Sequence, residues 1–327
     1  ETEYELVDLL VNHRKESLKV EVWNPSERKK TRKNWILLMP GLGGDRNHFS
    51  WLARSLSHNG WPVIVLEHPG SDSEALEALV KGKLPLPGAE VIPGRINDLD
   101  SIIEAVNLGK INVSAENVVL MGHSLGSLTS FLAAGAKVDD QLGNRCQEIL
   151  SNLSLTNLSS LLQCQLTDVI LPERKNIKNL SAIVGLNSFG SFLWQKNLDN
   201  QINVPLFLTG GTFDLVTPSI SEQLGLLISL SSNPLSRVLL IEKASHFSPI
   251  RVEGQLTQSK GEDLFNLGES IVGYHPLSVQ SLLAFEIIGF LEKLELEKSV
   301  PSGTNFTKGE LKYHILDSFT IEKLISD

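Results

Sequence analysis

Short unbroken apolar runs alternate along this chain with longer segments whose apolar residues recur at every third or fourth position. The first pattern reads as a strand buried on both faces, the second as a helix with one face on a core. Residues 7–11 and 18–23 read as an antiparallel pair, and the runs at 35–39, 62–66, 117–121, 180–185, 204–209 and 237–241 predict buried strands. Helices are expected over 48–59, where Phe49, Leu52 and Leu56 share a face and Gly60 is a stop signal, and over 95–108, 128–136, 219–230 and 276 to about 294. A turn-rich stretch at 69–94 and a long loop at 249–274 carry neither period. Strands alternating with helices predict an α/β fold: a mostly parallel central sheet covered by helices on both faces. Ligands of such sheets sit beyond the carboxyl ends of the strands.

The alternation is interrupted once. Between 138 and 180, Leu150, Leu153, Leu158, Leu161, Leu162 and Leu166 recur at largely helical spacings among Ser, Asn, Thr and Gln. This reads as a small helical cap inserted into a core formed by 1–137 and 181–300; the alternative is an amphipathic helix pair that serves packing alone. The tail, 301–327, has sparse apolar residues and is expected to pack on the core.

Charge and composition narrow the partners. The chain of 327 residues has 38 acidic against 29 basic side chains, a net charge of −9, which argues against nucleic acid as a partner. The basic cluster Arg28-Lys29-Lys30-Thr31-Arg32-Lys33 lies between two predicted strands and reads as a solvated hairpin loop. No apolar stretch approaches 18 residues, so no transmembrane segment is expected; the best candidate, 281–291, is broken by Glu286. The sequence starts at Glu1 without Met; the cytoplasm is slightly favoured, with a periplasmic or secreted location as the alternative if an N-terminal signal was removed. Cys146 and Cys164 both fall in the insert and read first as two buried, unreactive thiols, with a disulfide as the alternative. Cysteine and histidine neighbours are too few for a structural zinc site, and neither metal nor cofactor is expected; the oligomeric state is left open.

The chemistry centres on Gly122-His123-Ser124-Leu125-Gly126, directly behind the apolar run 117–121 and ahead of a helical pattern. A G-x-S-x-G sequence alone is weak evidence, because a glycine-flanked turn can serve close packing. At a strand-to-helix junction, however, the turn is so sharp that it strains the serine backbone and pushes the hydroxyl beyond the sheet edge. Ser124 is therefore a candidate nucleophile. A serine hydroxyl needs a base to take its proton and a carboxylate to orient that base. His246 follows the run at 237–241, and Asp214 lies in the glycine-rich loop after the run at 204–209. His246 could instead be an ordinary loop histidine and Asp214 a helix cap. The order Ser124, Asp214, His246 is that of a hydrolase triad. An oxyanion needs backbone N–H donors, for which Leu125, after the nucleophile, and Leu42, in Pro40-Gly41-Leu42-Gly43-Gly44, are the candidates, with Gly41 allowing close approach to a substrate. His48 is a candidate wall of the substrate pocket, and Trp194 is a candidate to line it, with packing of the cap as the alternative.

These stretches, together with 52–70 (ending Glu67-His68-Pro69-Gly70), Arg95 with Asp98, and Ala244-Ser245-His246-Phe247-Ser248, resemble the α/β-hydrolase fold over most of 35–290. More narrowly, they resemble bacterial serine hydrolases of the dienelactone-hydrolase-like and platelet-activating-factor-acetylhydrolase-like groups. The resemblance implies a serine esterase acting on small-molecule or lipid esters, with Ser124, Asp214 and His246 as nucleophile, acid and base and Leu42 and Leu125 as oxyanion donors. Two departures stand out: Pro40 replaces the usual histidine before Gly-Leu-Gly, and the nucleophile is serine where dienelactone hydrolases proper use cysteine. An acyltransferase or peptidase on the same scaffold, or a non-catalytic binder of hydrophobic ligands, are the rival readings.

Overall fold

The computed structural model describes residues 3–26, 32–151, 157–174, 176–194, 202–250 and 273–326. Leu153, most of the basic cluster at 28–33 and most of the loop at 249–274 lie outside the described residues. The chain opens with β1 (Glu5–Leu9), β2 (Leu18–Trp23) and β3 (Asn34–Met39), followed by α1 (Ser50–His58), β4 (Val63–Leu66), α2 (Ser73–Val80) and α3 (Ile92–Asn107). Next come β5 (Asn117–His123), α4 (Leu125–Ala133), α5 (Leu142–Ser151), α6 (Ser159–Gln165) and β6 (Leu180–Leu186). The last third holds β7 (Leu206–Gly211), α7 (Gly225–Leu230), β8 (Arg237–Ile241), α8 (Pro276–Glu295), β9 (Gly303–Lys308), β10 (Leu311–Leu316) and α9 (Ser318–Ser326).

Among the described residues ten strands pair into one sheet, in the order β1-β2-β4-β3-β5-β6-β7-β8-β10-β9. The six strands from β4 to β8 run parallel, and antiparallel strands finish both edges. Continuous apolar runs suit the parallel block because each residue meets a core on one side or the other. Leu37 and Met39 of β3 face a core shared with α3 and α4, whereas Ile36 and Leu38 face the core of α1 and α8. All four are fully buried, and burying each such side chain stabilises by roughly 1.5–3 kcal/mol. Among the described residues, no helix is long and apolar enough to cross a membrane.

Parallel register gathers the strand ends at one rim. Met39 pairs with Gly122, His123 with Leu186, Leu186 with Thr209, and Gly211 with Ile241. The segments leaving β3, β5, β6, β7 and β8 therefore diverge from neighbouring points.

The observed elements depart from the expected ones at three places. The turn-rich stretch contains α2, capped by the Asp72 carboxylate on the Ala75 amide at 3.0 Å, and the start of α3. That helix begins three residues earlier than its apolar period suggests because Pro93 sits in its first turn, where a missing N–H leaves no bond unmade. The tail goes further than surface packing: β10 pairs with β8 and β9 with β10, and Ile321 of α9 is buried in the core. Finally, Cys146 and Cys164 are joined in a disulfide, correcting the reading as two thiols. Sequence spacing could not show that α5 and α6 fold back on each other and bring the two sulfurs together.

Candidate active site

Ser124 sits between β5 and α4 with φ of 50° and ψ of −114°, a conformation that costs a non-glycine residue about 1–3 kcal/mol. The flanking glycines hold it there. A Cβ on Gly122 would lie 2.2 Å from the Gly126 carbonyl carbon, and one on Gly126 would lie 2.2 Å from the Met39 carbonyl oxygen. The turn thus presses α4 onto the end of β3, and the Ser124 amide donates to the Leu186 carbonyl at 2.9 Å.

Asp214 and His246 arrive from the ends of β7 and β8 and meet: the ring Nδ1 lies 2.9 Å from Asp214 Oδ2. The carboxylate is buried and accepts further bonds from Asn187 Nδ2 (2.8 Å) and the Thr217 hydroxyl (2.7 Å) on the same oxygen. Its other oxygen accepts from the amides of Val216 (2.9 Å) and Thr217 (2.7 Å). Burial by itself would raise the Asp214 pKa, but the neighbouring His246 and these hydrogen bonds outweigh it and hold the carboxyl below its ordinary range. With Nδ1 committed to Asp214, the other ring nitrogen is left for the cavity that His246 and Ser124 both line. Among the described residues no hydrogen bond joins the Ser124 hydroxyl to the ring, a looseness common in such sites before substrate arrives.

The loop after β3 packs directly on the elbow. A Cβ on Gly41 would stand 3.0 Å from His123 Nδ1 and 3.1 Å from Ser124 Cβ, so a larger residue would have to push its neighbours back by a few tenths of an ångström. The loop is clamped at both ends: the Arg95 guanidinium donates to the Pro40 carbonyl and to Ser71 Oγ (2.8 Å), and the Gly43 amide donates to the Ser71 carbonyl (2.8 Å). Leu42, between those clamps, lines the cavity with Leu125, and among the described residues neither amide is engaged in a hydrogen bond. Two free N–H groups beside a serine hydroxyl form an arrangement able to bind an oxyanion.

The cavity has a volume of about 540 Å³. Leu86, Pro87, Leu158, Leu161, Leu162 and Phe189 form its apolar walls. Among the described lining residues none is Asp, Glu, Lys or Arg, and His246 is the one histidine.

Two candidates stand away from it. His48 accepts from the Asp45 amide through Nδ1 at 3.2 Å while its own amide donates back to the Asp45 carboxylate at 3.3 Å, closing a capping box ahead of α1. Trp194 is buried and stands edge-on to Phe131, centroids 6.1 Å apart, and a Cβ on Gly190 would touch its ring. Both are thus corrected from cavity wall to structural packing: the residue type suggested a pocket, but the local cap and the aromatic contact claim the side chains.

Other contributors carried no distinctive sequence signal. Asn187 and Thr217 orient Asp214, yet Asn and Thr in loops are too common to single out. His123, given no chemistry in the sequence reading, lies 2.9 Å from the His246 carbonyl through Nε2 and so pins the loop that bears His246. Burial, then the neighbouring His246, lowers its pKa to about 3, so it stays neutral. Asp98 and His68, quoted above only for the resemblance, meet in a buried group behind the clamp: Asp98 accepts from Arg14 at 2.9 and 2.7 Å, with His13 at 2.7 Å and His68 at 2.9 Å.

The family described as alpha/beta hydrolase fold matches residues 34–168, a span from β3 through the elbow to the helices of the insert. The fold is that of the α/β hydrolases. No curated protein matches the chain. The match supports a hydrolase-like function. It ends ahead of Asp214 and His246, and the narrower likeness to particular esterase groups rests on the motifs quoted from the sequence.

Proposed function

We propose that this protein is a serine hydrolase that cleaves carboxylic esters through an acyl-enzyme on Ser124. The observation that carries the reading is the placing of the His246 ring, with one nitrogen on the buried Asp214 carboxylate and its side chain lining the cavity into which Ser124 opens. In this reading the Ser124 oxygen attacks the acyl carbonyl carbon as His246 takes its proton. The resulting oxyanion rests on the amides of Leu42 and Leu125. Collapse breaks the bond to the alcohol oxygen, and His246 returns the proton to that leaving group. Water then attacks the acyl carbon, giving a proton to His246. Release of the carboxylic acid restores the serine hydroxyl. Asp214 keeps the imidazole in one tautomer and stabilises its charged form. No step calls for a metal or cofactor.

Walls of leucine, proline and phenylalanine, with no Asp, Glu, Lys or Arg among the described lining residues, suit the apolar part of an ester. The same walls fit a peptidase for charged side chains poorly. The test is hydrolysis of p-nitrophenyl acetate and butyrate. Ser124→Ala is expected to lower kcat about 10⁶-fold, as removal of a triad nucleophile does. A fluorophosphonate should label the wild type at Ser124. Hydrolysis by the variant near the wild-type rate, or an unlabelled serine in folded protein, would remove the reading; product analysis with an added alcohol separates hydrolysis from acyl transfer.

A further inference from the structure

Glu222 is fully buried next to this cavity and takes no part in the chemistry proposed above. Its Oε1 accepts from Asn157 Nδ2 at 2.7 Å, Gln163 Nε2 at 3.0 Å and Ser159 Oγ at 3.3 Å. Its Oε2 accepts from the amides of Gly190 and Ser191, each at 2.9 Å. The first three donors belong to α6 and the residue pair before it, the last two to the segment after β6, and Glu222 itself stands in the single π-turn segment Ile220–Leu224 that leads into α7. One carboxylate therefore ties together three segments distant in sequence, with five donors and no cation among the described residues. A buried charge so completely satisfied is expensive to disrupt, because each orphaned donor, and the charge itself, would remain out of water.

The tied element is the roof of the cavity. Leu158, Leu161 and Leu162 on or beside α6 line it, and the helix is fastened on other sides too. Gln165 Oε1 accepts from the Ala89 amide at 2.9 Å, beside Pro87 and Gly88 of the opposite wall, and the Ser159 amide donates to the Val216 carbonyl at 3.1 Å. Gln163 Oε1 accepts from the Phe192 amide at 2.9 Å, and Cys164 is bonded to Cys146. A helix held this way is a wall with fixed height.

We propose that Glu222 is the positioning residue that sets substrate selectivity: by fixing α6 over Ser124 it gives the cavity a set depth, and the substrates are esters whose bound acyl part is uncharged and limited in length. This rests on the serine-hydrolase reading given above. A preformed wall discriminates by fit, and each methylene that the space cannot hold lowers kcat/KM by roughly tenfold or more. Among the described lining residues there is no cation to pair with a carboxylate on the acyl chain, so taking that charge out of water would go uncompensated.

The experiment measures kcat/KM over a series of p-nitrophenyl esters from acetate to palmitate, with the hemisuccinate ester as the charged counterpart of butyrate. Wild type is expected to show a step of about tenfold or more past its longest accepted chain. It is also expected to prefer butyrate over hemisuccinate by roughly 10²-fold. Glu222→Ala should raise the long-to-short selectivity ratio about tenfold while acetate hydrolysis and fluorophosphonate labelling stay within about threefold of wild type. Asn157→Ala, which removes one donor at a half-buried site and leaves the carboxylate in place, should shift the ratio in the same direction by a smaller amount, and it decides the matter if Glu222→Ala does not fold. A folded variant with the wild-type ratio, or a wild type that cleaves all lengths alike, overturns the proposal and leaves the serine mechanism standing. A wild type that neither hydrolyses any ester nor takes the label overturns the mechanism instead.

Discussion

The two sides of the cavity are held by different kinds of bond. On one side Ser124, Asp214 and His246 project from the ends of β5, β7 and β8, where ladder pairing such as Gly211 with Ile241 fixes the backbone before any side chain is placed. On the other side α6 belongs to no ladder. It is kept over the cavity chiefly by side chains, Glu222, Gln163 and Gln165, by one disulfide and by a single backbone bond from the Ser159 amide. Backbone ladders are indifferent to most substitutions, whereas a side-chain clasp is lost with the residue. In the proposed reading, chemistry belongs to the part of the molecule that changes least easily and selectivity to the part that can be altered one residue at a time.

Breaking the polar side should give the largest effect. Asp214→Asn keeps the shape of the side chain but removes the acceptor that selects the His246 tautomer; kcat on short esters is expected to fall about 10⁴-fold, with the thermal midpoint little changed and the chain-length ratio intact. A parallel loss of selectivity would mean that the two sides are not separable.

Acid sharpens the same contrast. His123, at the elbow, has its pKa lowered to about 3 and His68, on Asp98, to about 4, each chiefly by burial. Both are neutral in the folded protein and would titrate near 6.5 when unfolded, so between those limits the unfolded chain binds more protons. Their contribution is complete above pH 6.5 and is lost as pH falls toward 4 and then 3, at about 1.4 kcal/mol for each pKa unit. The Asp214 and Asp98 carboxyls are held low despite burial, Asp214 by His246 and its hydrogen bonds and Asp98 by His68 and Arg14, so their stabilisation fades only below the ordinary carboxylate pKa. Urea unfolding should therefore show several kcal/mol lost from pH 7.5 to 4.5, and His68→Gln should flatten that slope. A wild-type profile without slope above pH 4.5 would contradict the buried neutral histidines.

The roof gives the smallest effect. The Cys146–Cys164 bridge closes a sequence separation of 18, which stabilises by about 3 kcal/mol through restriction of the unfolded chain. Cys146→Ser with Cys164→Ser, or mild reduction, should lower the urea midpoint accordingly and leave acetate hydrolysis near wild type. A collapse of activity on acetate would show that the roof supports the polar side after all.

Much of this was legible before any coordinates. The apolar runs located β3 to β8, and the motif with its downstream Asp and His pointed to three residues that the strand ends bring to one rim. The signal was strong there because a buried parallel strand needs continuous apolar sequence and a tight elbow needs glycine. Reading failed where several elements share one requirement. His48 looked like a wall and is a cap; Trp194 looked like a wall and is core; Glu222, which no sequence pattern singled out, is fully enclosed.

Amino-acid order alone settled which segments form the parallel strands, where the sharp turn falls and which serine stands on it, since those follow from local periodicity and from the few residues that tolerate a strained backbone. Only three-dimensional packing decided that two cysteines pair, that the tail adds two strands to the sheet, and that a lone carboxylate binds the roof. Those outcomes depend on which distant surfaces meet when water is expelled, and no local pattern encodes that meeting.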